Sequence, residues 1–475
     1  MSAIAISEAL FLARRPVHEP PGPGRTISGD ACGQSATLSH PAGLRYLPSQ
    51  CEQTPATKRS AVAVAQRVVA VNSSADAFDD FVSAEVPSLA TPFIPSRWIA
   101  SPLLQTVVAN RLNRVTAPST REVIRSDSGG SLAIDWIGCS GEPISSGGPV
   151  IIGFPGAGRC LPNFGFMPML LAAVEEAFGG NCRCGVVVYQ GLGGLSLSSH
   201  KLPCSAYGLT SDPGDALRTV RTRYPDAPLI VFASSMGSSI FVNWASRNPA
   251  ECARLQIGAA VCFAYGHSVS KTCAAAESYL GGAIGRLITK TWWRELRRNR
   301  ASLEHLHSLE KSRPGFSVES LRRAASAGSL SRWDAAVAPC YGFADFAGMR
   351  NAAEPLEYLR QMPVWTLFLN AEDDMLCPAQ RLRATDVYRS QLFACRFSDH
   401  GGHLGWCSEL RFDGNGGHAA WLRTMAIEFV CAAAKLQAAE HLRRRSTGRW
   451  CAARSDPVGL AAPTAASFDC GVQRV

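Results

Sequence analysis

The segment LIVFASSMGSSIF, residues 229–241, decides the reading of this chain. Five apolar residues end at Ala233, and Ser-Met-Gly then leads directly into a second apolar stretch. A strand that turns sharply into a helix with a serine at its apex needs small residues two positions to either side, because the backbone folds back on itself there. Ala233 and Gly237 occupy those positions around Ser235. Ser234 at the apex would instead put Met236 where a small residue is required. A serine at a helix N-terminus can also be a plain capping residue, so the rest of the chain has to arbitrate.

Working outward, short apolar runs bounded by Gly and Pro recur at VIIGF (150–154), GVVVY (185–189), IGAAVCFA (257–264) and VWTLFL (364–369). Runs of this length, rich in Val, Ile and Phe, suit strands covered on both faces, as in a parallel sheet. Helical patterns separate them at 169–178, 215–224 and 239–247. The alternation predicts an open α/β sheet with helices on both faces. REVIRS (121–126) and SLAIDWIG (131–138) predict an antiparallel hairpin that opens it. Residues 266–345 break the alternation with helical sequence, read as a helical insertion on the core. A lid meeting lipid through Trp292 and Trp293 is the sharper alternative.

The remaining chemistry falls in one chain order. VIIGFPGAG (150–158) is a strand followed by a glycine-rich turn, the place from which a backbone N–H, here that of Ala157, joins the N–H of Met236 as an oxyanion donor. NAEDD (370–374) closes a late strand with paired carboxylates, and either Asp374 or Asp373 can orient a histidine. HGGHLGW (400–406) frames His403 with glycines, and His400 reads as a surface or supporting histidine. Serine, then acid, then histidine is the order of an esterase-type triad on such a sheet.

These segments resemble the YheT-like branch of the α/β-hydrolase superfamily, which includes plant embryogenesis-associated hydrolases and animal abhydrolase-domain proteins. The resemblance spans about residues 92–435. PFIPSRWIASPLLQTVVANRL (92–112) is similar to the opening segment with its "P…HLQT" core, Leu103 standing where His is usual. VVVYQGLGG (186–194) is similar to "NYRGCGG", with Gln190 in place of Arg, and RWDAAVAPCYGFADFAGM (332–349) resembles the stretch after the insertion. The elbow departs from G-x-S-x-G at Ala233 and from Leu-Gly-Gly after the serine, where Met236, Gly237 and Ser238 stand. The resemblance implies an α/β-hydrolase fold and a triad of Ser235, Asp374 and His403, the second acid of the pair being the usual member. It also implies hydrolysis of a small-molecule carboxylic ester with an acyl or lipid-like chain, without metal or organic cofactor. The rival expectation is a catalytically silent domain of the same fold that serves as a binding or scaffold module.

Composition limits the other classes. With 46% hydrophobic and 18% charged residues the chain is globular, and its net charge of +9 is modest over 475 residues. The basic runs at 293–300 and 441–449 stand apart from any nucleic-acid motif, so no nucleic-acid partner is expected. The 17 cysteines include no CxxC pair, which argues for reduced thiols in an intracellular setting. No apolar run approaches the ~18 residues of a transmembrane helix, so any membrane contact is expected to be peripheral. Residues 1–92 are expected to be a disordered or targeting extension, since residues 1–60 hold only four acids among many Ala, Ser and Pro. One helix is expected near 61–71, and removal of 1–85 is expected to be tolerated. The hydrolase domain is placed at 93–440 and a basic, mostly disordered tail at 441–475.

Overall fold

The computed structural model describes residues 77–112, 119–127, 129–138, 148–157, 165–178, 181–197, 211–377, 379, 392–409 and 419–447. The helix expected near 61–71 and the tail beyond 447 lie outside them.

Eight strands form one sheet. They are β1 (Ser119–Arg125), β2 (Ser131–Ile137), β3 (Val150–Phe154), β4 (Arg183–Val188), β5 (Leu229–Ser234), β6 (Ile257–Phe263), β7 (Trp365–Ala371) and β8 (Phe393–Ser398). Their spatial order is β1-β2-β4-β3-β5-β6-β7-β8. β1 and β2 pair antiparallel as the predicted hairpin, β2 meets β4 antiparallel, and every later pairing is parallel. β3, β4, β5 and β7 are buried along their whole length, which explains their unbroken apolar runs. This is the expected α/β-hydrolase fold.

The sheet separates two apolar cores. One face of β3 and β5 meets α5 (Met236–Arg247), where Phe154 stacks on Phe241 with ring centroids 5.8 Å apart. The other face packs on α3 (Phe166–Ala177) and the long α14 (Ala420–Thr447), through residues such as Phe232 and Phe429. Because the strands from β3 to β8 all run parallel, the carboxyl ends of β3, β5, β7 and β8 open on the same edge. Side chains just beyond those ends therefore converge there.

The domain begins earlier than its sequence suggests. α1 (Ala77–Glu85), placed by its sequence in the extension, packs on β8 and α14. Phe78 is fully buried against Trp365, centroids 5.3 Å apart, and Asp79 pairs with Arg396 at 2.6 Å. The indole of Trp421 on α14 donates to the carbonyls of Ser88 and Thr91. Nine residues of helix are too short to stand out in a sequence, and tertiary burial stabilises them.

Between β6 and β7 the chain is helical: α7 (Val269–Ser278), α8 (Ala283–Arg298), α9 (Arg300–Ser312), α10 (Val318–Ala327), α11 (Leu330–Val337), α12 (Phe346–Ala353) and α13 (Pro355–Leu359). Trp292 is not a lipid-facing residue. It lies buried against Trp333, centroids 5.6 Å apart, so its apolar surface is already covered, and Trp293 is half-buried. The exposed side of α8 carries Leu287, Lys290, Arg294 and Arg297 instead.

Candidate functional site

Ser235 sits between β5 and α5 with φ 53° and ψ −124°, a conformation that L-residues rarely hold. Its amide donates to the Phe263 carbonyl at 2.8 Å, continuing the β5–β6 ladder one residue past the strand and fixing the turn. Gly237 is needed because the helix starts hard against the end of β3. A Cβ there would overlap the carbonyl oxygens of Phe154 and Pro155. The smallness read from the sequence at that position thus has a named steric cause.

The Ser235 hydroxyl is half-buried and lies 2.8 Å from His403 Nε2. On the other side of the ring, Nδ1 is 2.9 Å and 3.1 Å from the two carboxylate oxygens of Asp374. Asp374, almost fully buried, follows β7, and its Oδ1 also accepts the amides of Leu376 and Cys377 at 2.8 and 2.9 Å. With Oδ1 tied to two amides and both oxygens near one ring nitrogen, the carboxylate has a single orientation. It stabilises the tautomer with a proton on Nδ1, leaving Nε2 as the acceptor that faces the serine.

Asp373 points elsewhere. Its Oδ1 accepts the Gly402 amide at 2.7 Å and its Oδ2 lies 3.5 Å from Nδ1 of the exposed His400. Burial pushes its carboxyl above the usual range, against the opposing pull of the Gly402 amide and His400. Adjacent acids thus have different tasks: Asp374 contacts the ring, and Asp373 the loop that carries it.

The segments that carry Met236 and Ala157 adjoin the serine, one following it in sequence and the other through Gly156. Met236 opens α5, so its N–H lies in the first turn, beyond the reach of an intrahelical carbonyl. The Pro155–Ala157 turn after β3 approaches from the other side. A Cβ at Gly156 would stand 3.0 Å from Ser235 Cβ and 3.5 Å from Oγ, so Ala157 follows a residue in near contact with the hydroxyl. Tyr189 braces this turn by donating to the Pro155 carbonyl at 3.1 Å.

Asp374, Cys377 and His403 place one potential ligand atom each within 4.8 Å of one another. Their chemistry does not suit a metal. Both ring nitrogens of His403 are engaged by Asp374 and Ser235. Burial also pushes the Cys377 thiol well above its ordinary range, so it stays protonated at neutral pH.

Gln190 donates from its side chain to Asp212 at 2.8 Å, and both residues are buried. It serves packing between β4 and α4 (Asp212–Arg223). Sequence reading assigned no role to Cys377, Tyr189, Gln105 or Thr106. Tyr189, Gln105 and Thr106 act through contacts between distant segments.

No protein-family model matches the chain. It is 24% identical over 317 residues to Protein abhd-3.2 of Caenorhabditis elegans, covering 66% of this chain and 79% of that one. It is 22% identical over 335 residues to Phospholipase ABHD3 of Mus musculus, covering 70% of this chain and 77% of the relative. Among solved structures it is similar to mouse alpha/beta hydrolase domain-containing protein 10, at 13% identity and a TM-score of 0.33, covering 60% of this chain and 90% of that one. Acylaminoacyl peptidase of Pyrococcus horikoshii aligns at 13% identity and a TM-score of 0.38, with 64% and 40% covered.

Proposed function

Taking as premise that the chain is an α/β hydrolase, we propose that it is a serine hydrolase of carboxylic esters with acyl or lipid-like chains, working through Ser235, His403 and Asp374. The observation that carries this reading is the unbroken hydrogen-bond chain from the Asp374 carboxylate through the His403 ring to the Ser235 hydroxyl.

In the first half-reaction Ser235 Oγ attacks the acyl carbonyl while its proton passes to His403 Nε2. The carbonyl π electrons move onto oxygen, where the N–H groups of Met236 and Ala157 stabilise the negative charge. Collapse breaks the ester C–O bond, and the leaving alkoxide takes the proton from His403, giving an acyl-enzyme and a free alcohol. Water then repeats the sequence with His403 as base, releasing the acid and restoring Ser235. Asp374 stabilises the imidazolium of both halves without itself taking the proton.

The similarity to Phospholipase ABHD3 of Mus musculus and of Homo sapiens supports a lipid ester as substrate. The test pairs a fluorophosphonate probe with product profiling. Wild type should be labelled at Ser235 and release fatty acid from a lipid extract, and Ser235→Ala should do neither while keeping its melting temperature. A fully folded Ser235→Ala enzyme with wild-type turnover removes the assignment, and an unlabelled wild type favours the silent binding module.

A further inference from the structure

The segment SPLLQT (101–106) lies nearly 300 positions before His403, and the proposed chemistry leaves it unused. It forms the start of α2 (Pro102–Leu112), which is pressed against the histidine loop. Thr106 Oγ1 accepts the backbone amide of His403 itself at 2.9 Å, and donates its own proton to the Pro102 carbonyl at 2.9 Å. Gln105, fully buried, spans the far side of the loop. Its Oε1 accepts the Cys407 amide at 2.7 Å, and its Nε2 donates to the carbonyls of Cys407 and Ile99, each at 2.9 Å. The contact leaves no slack: a Cβ on Gly402 would overlap the Pro102 carbonyl and stand 2.8 Å from Thr106 Oγ1.

The loop needs such an anchor. Gly402, Leu404 and Trp406 all have positive φ, at 56°, 60° and 44°. Non-glycine residues in that region each cost about 1–3 kcal/mol and persist only where the surroundings over-determine them. Two of the three are not glycine, and both lie between His403 and Cys407, the points held by Thr106 and Gln105. Released from α2, the backbone would relax toward ordinary φ values and carry the imidazole off the Ser235–Asp374 line. The ring's own bonds to Asp374 and Ser235 fix its tilt but not the position of its Cα.

We infer that Thr106 is a positioning residue for His403, with Gln105 holding the other end of the same loop, so that α2 sets where the base stands relative to Ser235. The inference rests on the proposed role of His403 and adds a residue that touches neither substrate nor reacting atoms.

Thr106→Val removes the acceptor and keeps the shape, and Thr106→Ser keeps the acceptor. With a short soluble ester, Thr106→Val should lower kcat about tenfold or more with KM unchanged, as the lost acceptor leaves a buried amide unpaired. Its rate of labelling by a fluorophosphonate should fall in parallel, and Thr106→Ser should restore both to near wild type. If Thr106→Val does not fold, Thr106→Cys replaces it with a much weaker acceptor and the same expectation. Wild-type kcat in the variant lacking the acceptor overturns the inference, as does an equal loss in Thr106→Ser. Ser235→Ala and His403→Ala are measured alongside: activity surviving in either removes the premise, whereas two dead variants beside an unaffected Thr106→Val remove the inference alone.

Discussion

His403 and Ser235, 168 positions apart in the chain, stand 2.8 Å apart from Nε2 to Oγ. Strands β5 and β8 bring them together at one edge of the sheet, and the strained turn at Ser235 lifts its hydroxyl toward the ring. The distance is already that of a made hydrogen bond, so proton transfer needs no rearrangement of the resting site.

The paired acids give the first prediction. Asp374 alone contacts the ring, so Asp374→Asn should favour the wrong tautomer and lower turnover by roughly 10⁴. Asp373→Asn keeps a carbonyl that can accept the Gly402 amide and should stay within about tenfold of wild type. Initial rates of both variants on one ester test the pair. A reversed ranking would move the role to Asp373, and two small effects would remove both.

The elbow gives the second. Gly237→Ala drives a methyl group into the carbonyls of Phe154 and Pro155, and neither backbone oxygen can swing away as a side chain would. The variant should lose about 1–3 kcal/mol or more of stability, together with most of its probe labelling at Ser235. Urea denaturation and labelling on the same sample measure both losses. Wild-type values in the two would mean that the β3 turn moves easily and that the smallness at this position is incidental.

Much of the fold is legible in the residues themselves. The sheet shows in its sequence because β3, β4, β5 and β7 are covered on both faces, and few other contexts require such short unbroken apolar runs. The elbow shows because sterics demand small residues at fixed offsets from Ser235. Choosing between Asp373 and Asp374 from the residues alone was not possible, since adjacent side chains diverge and the loop's path decides which meets the ring. The partners of Thr106 and Gln105 lie about 300 positions away, and no local pattern encodes such a contact. Trp292 shows the same limit: its helical spacing is readable, but its cover by Trp333 is a tertiary fact.

The start of the domain gives the third prediction. A truncation ending at residue 85 removes α1 and with it Phe78 and Phe81, which pack on Trp365. That protein should be markedly less stable than one truncated at residue 76. In the full chain Phe78→Ala should cost about 3–5 kcal/mol. Chemical denaturation of the three proteins checks this, and equal midpoints for the two truncations would return α1 to the dispensable extension.

The last prediction concerns Asp334 on α11, a fully buried acid within the helical insertion that the proposed chemistry does not use. Burial raises its pKa from 3.8 to about 8, opposed by the charge of Arg350 and by a long contact from the Cys273 thiol at 3.8 Å, and reinforced by Glu277. Glu277 itself is held below the usual range by hydrogen bonds from Ser329 and Ser331 that outweigh its burial, so it stays ionised. At neutral pH Asp334 is therefore a neutral acid when folded and a carboxylate when unfolded. The sign follows: a raised folded pKa contributes stability that is fully present below the ordinary value and lost as pH rises through about 8, because folding must then bury a charge. Asp334→Asn keeps the shape without the titration. The stability of wild type relative to this variant should fall by up to about 1.4 kcal/mol per pH unit between roughly pH 4 and 8, and level off above. Urea midpoints of both proteins across that range give the difference directly. Parallel curves would mean that Asp334 keeps an ordinary pKa through solvent reaching it between α7 and α11, and that the insertion is more open than its packing indicates.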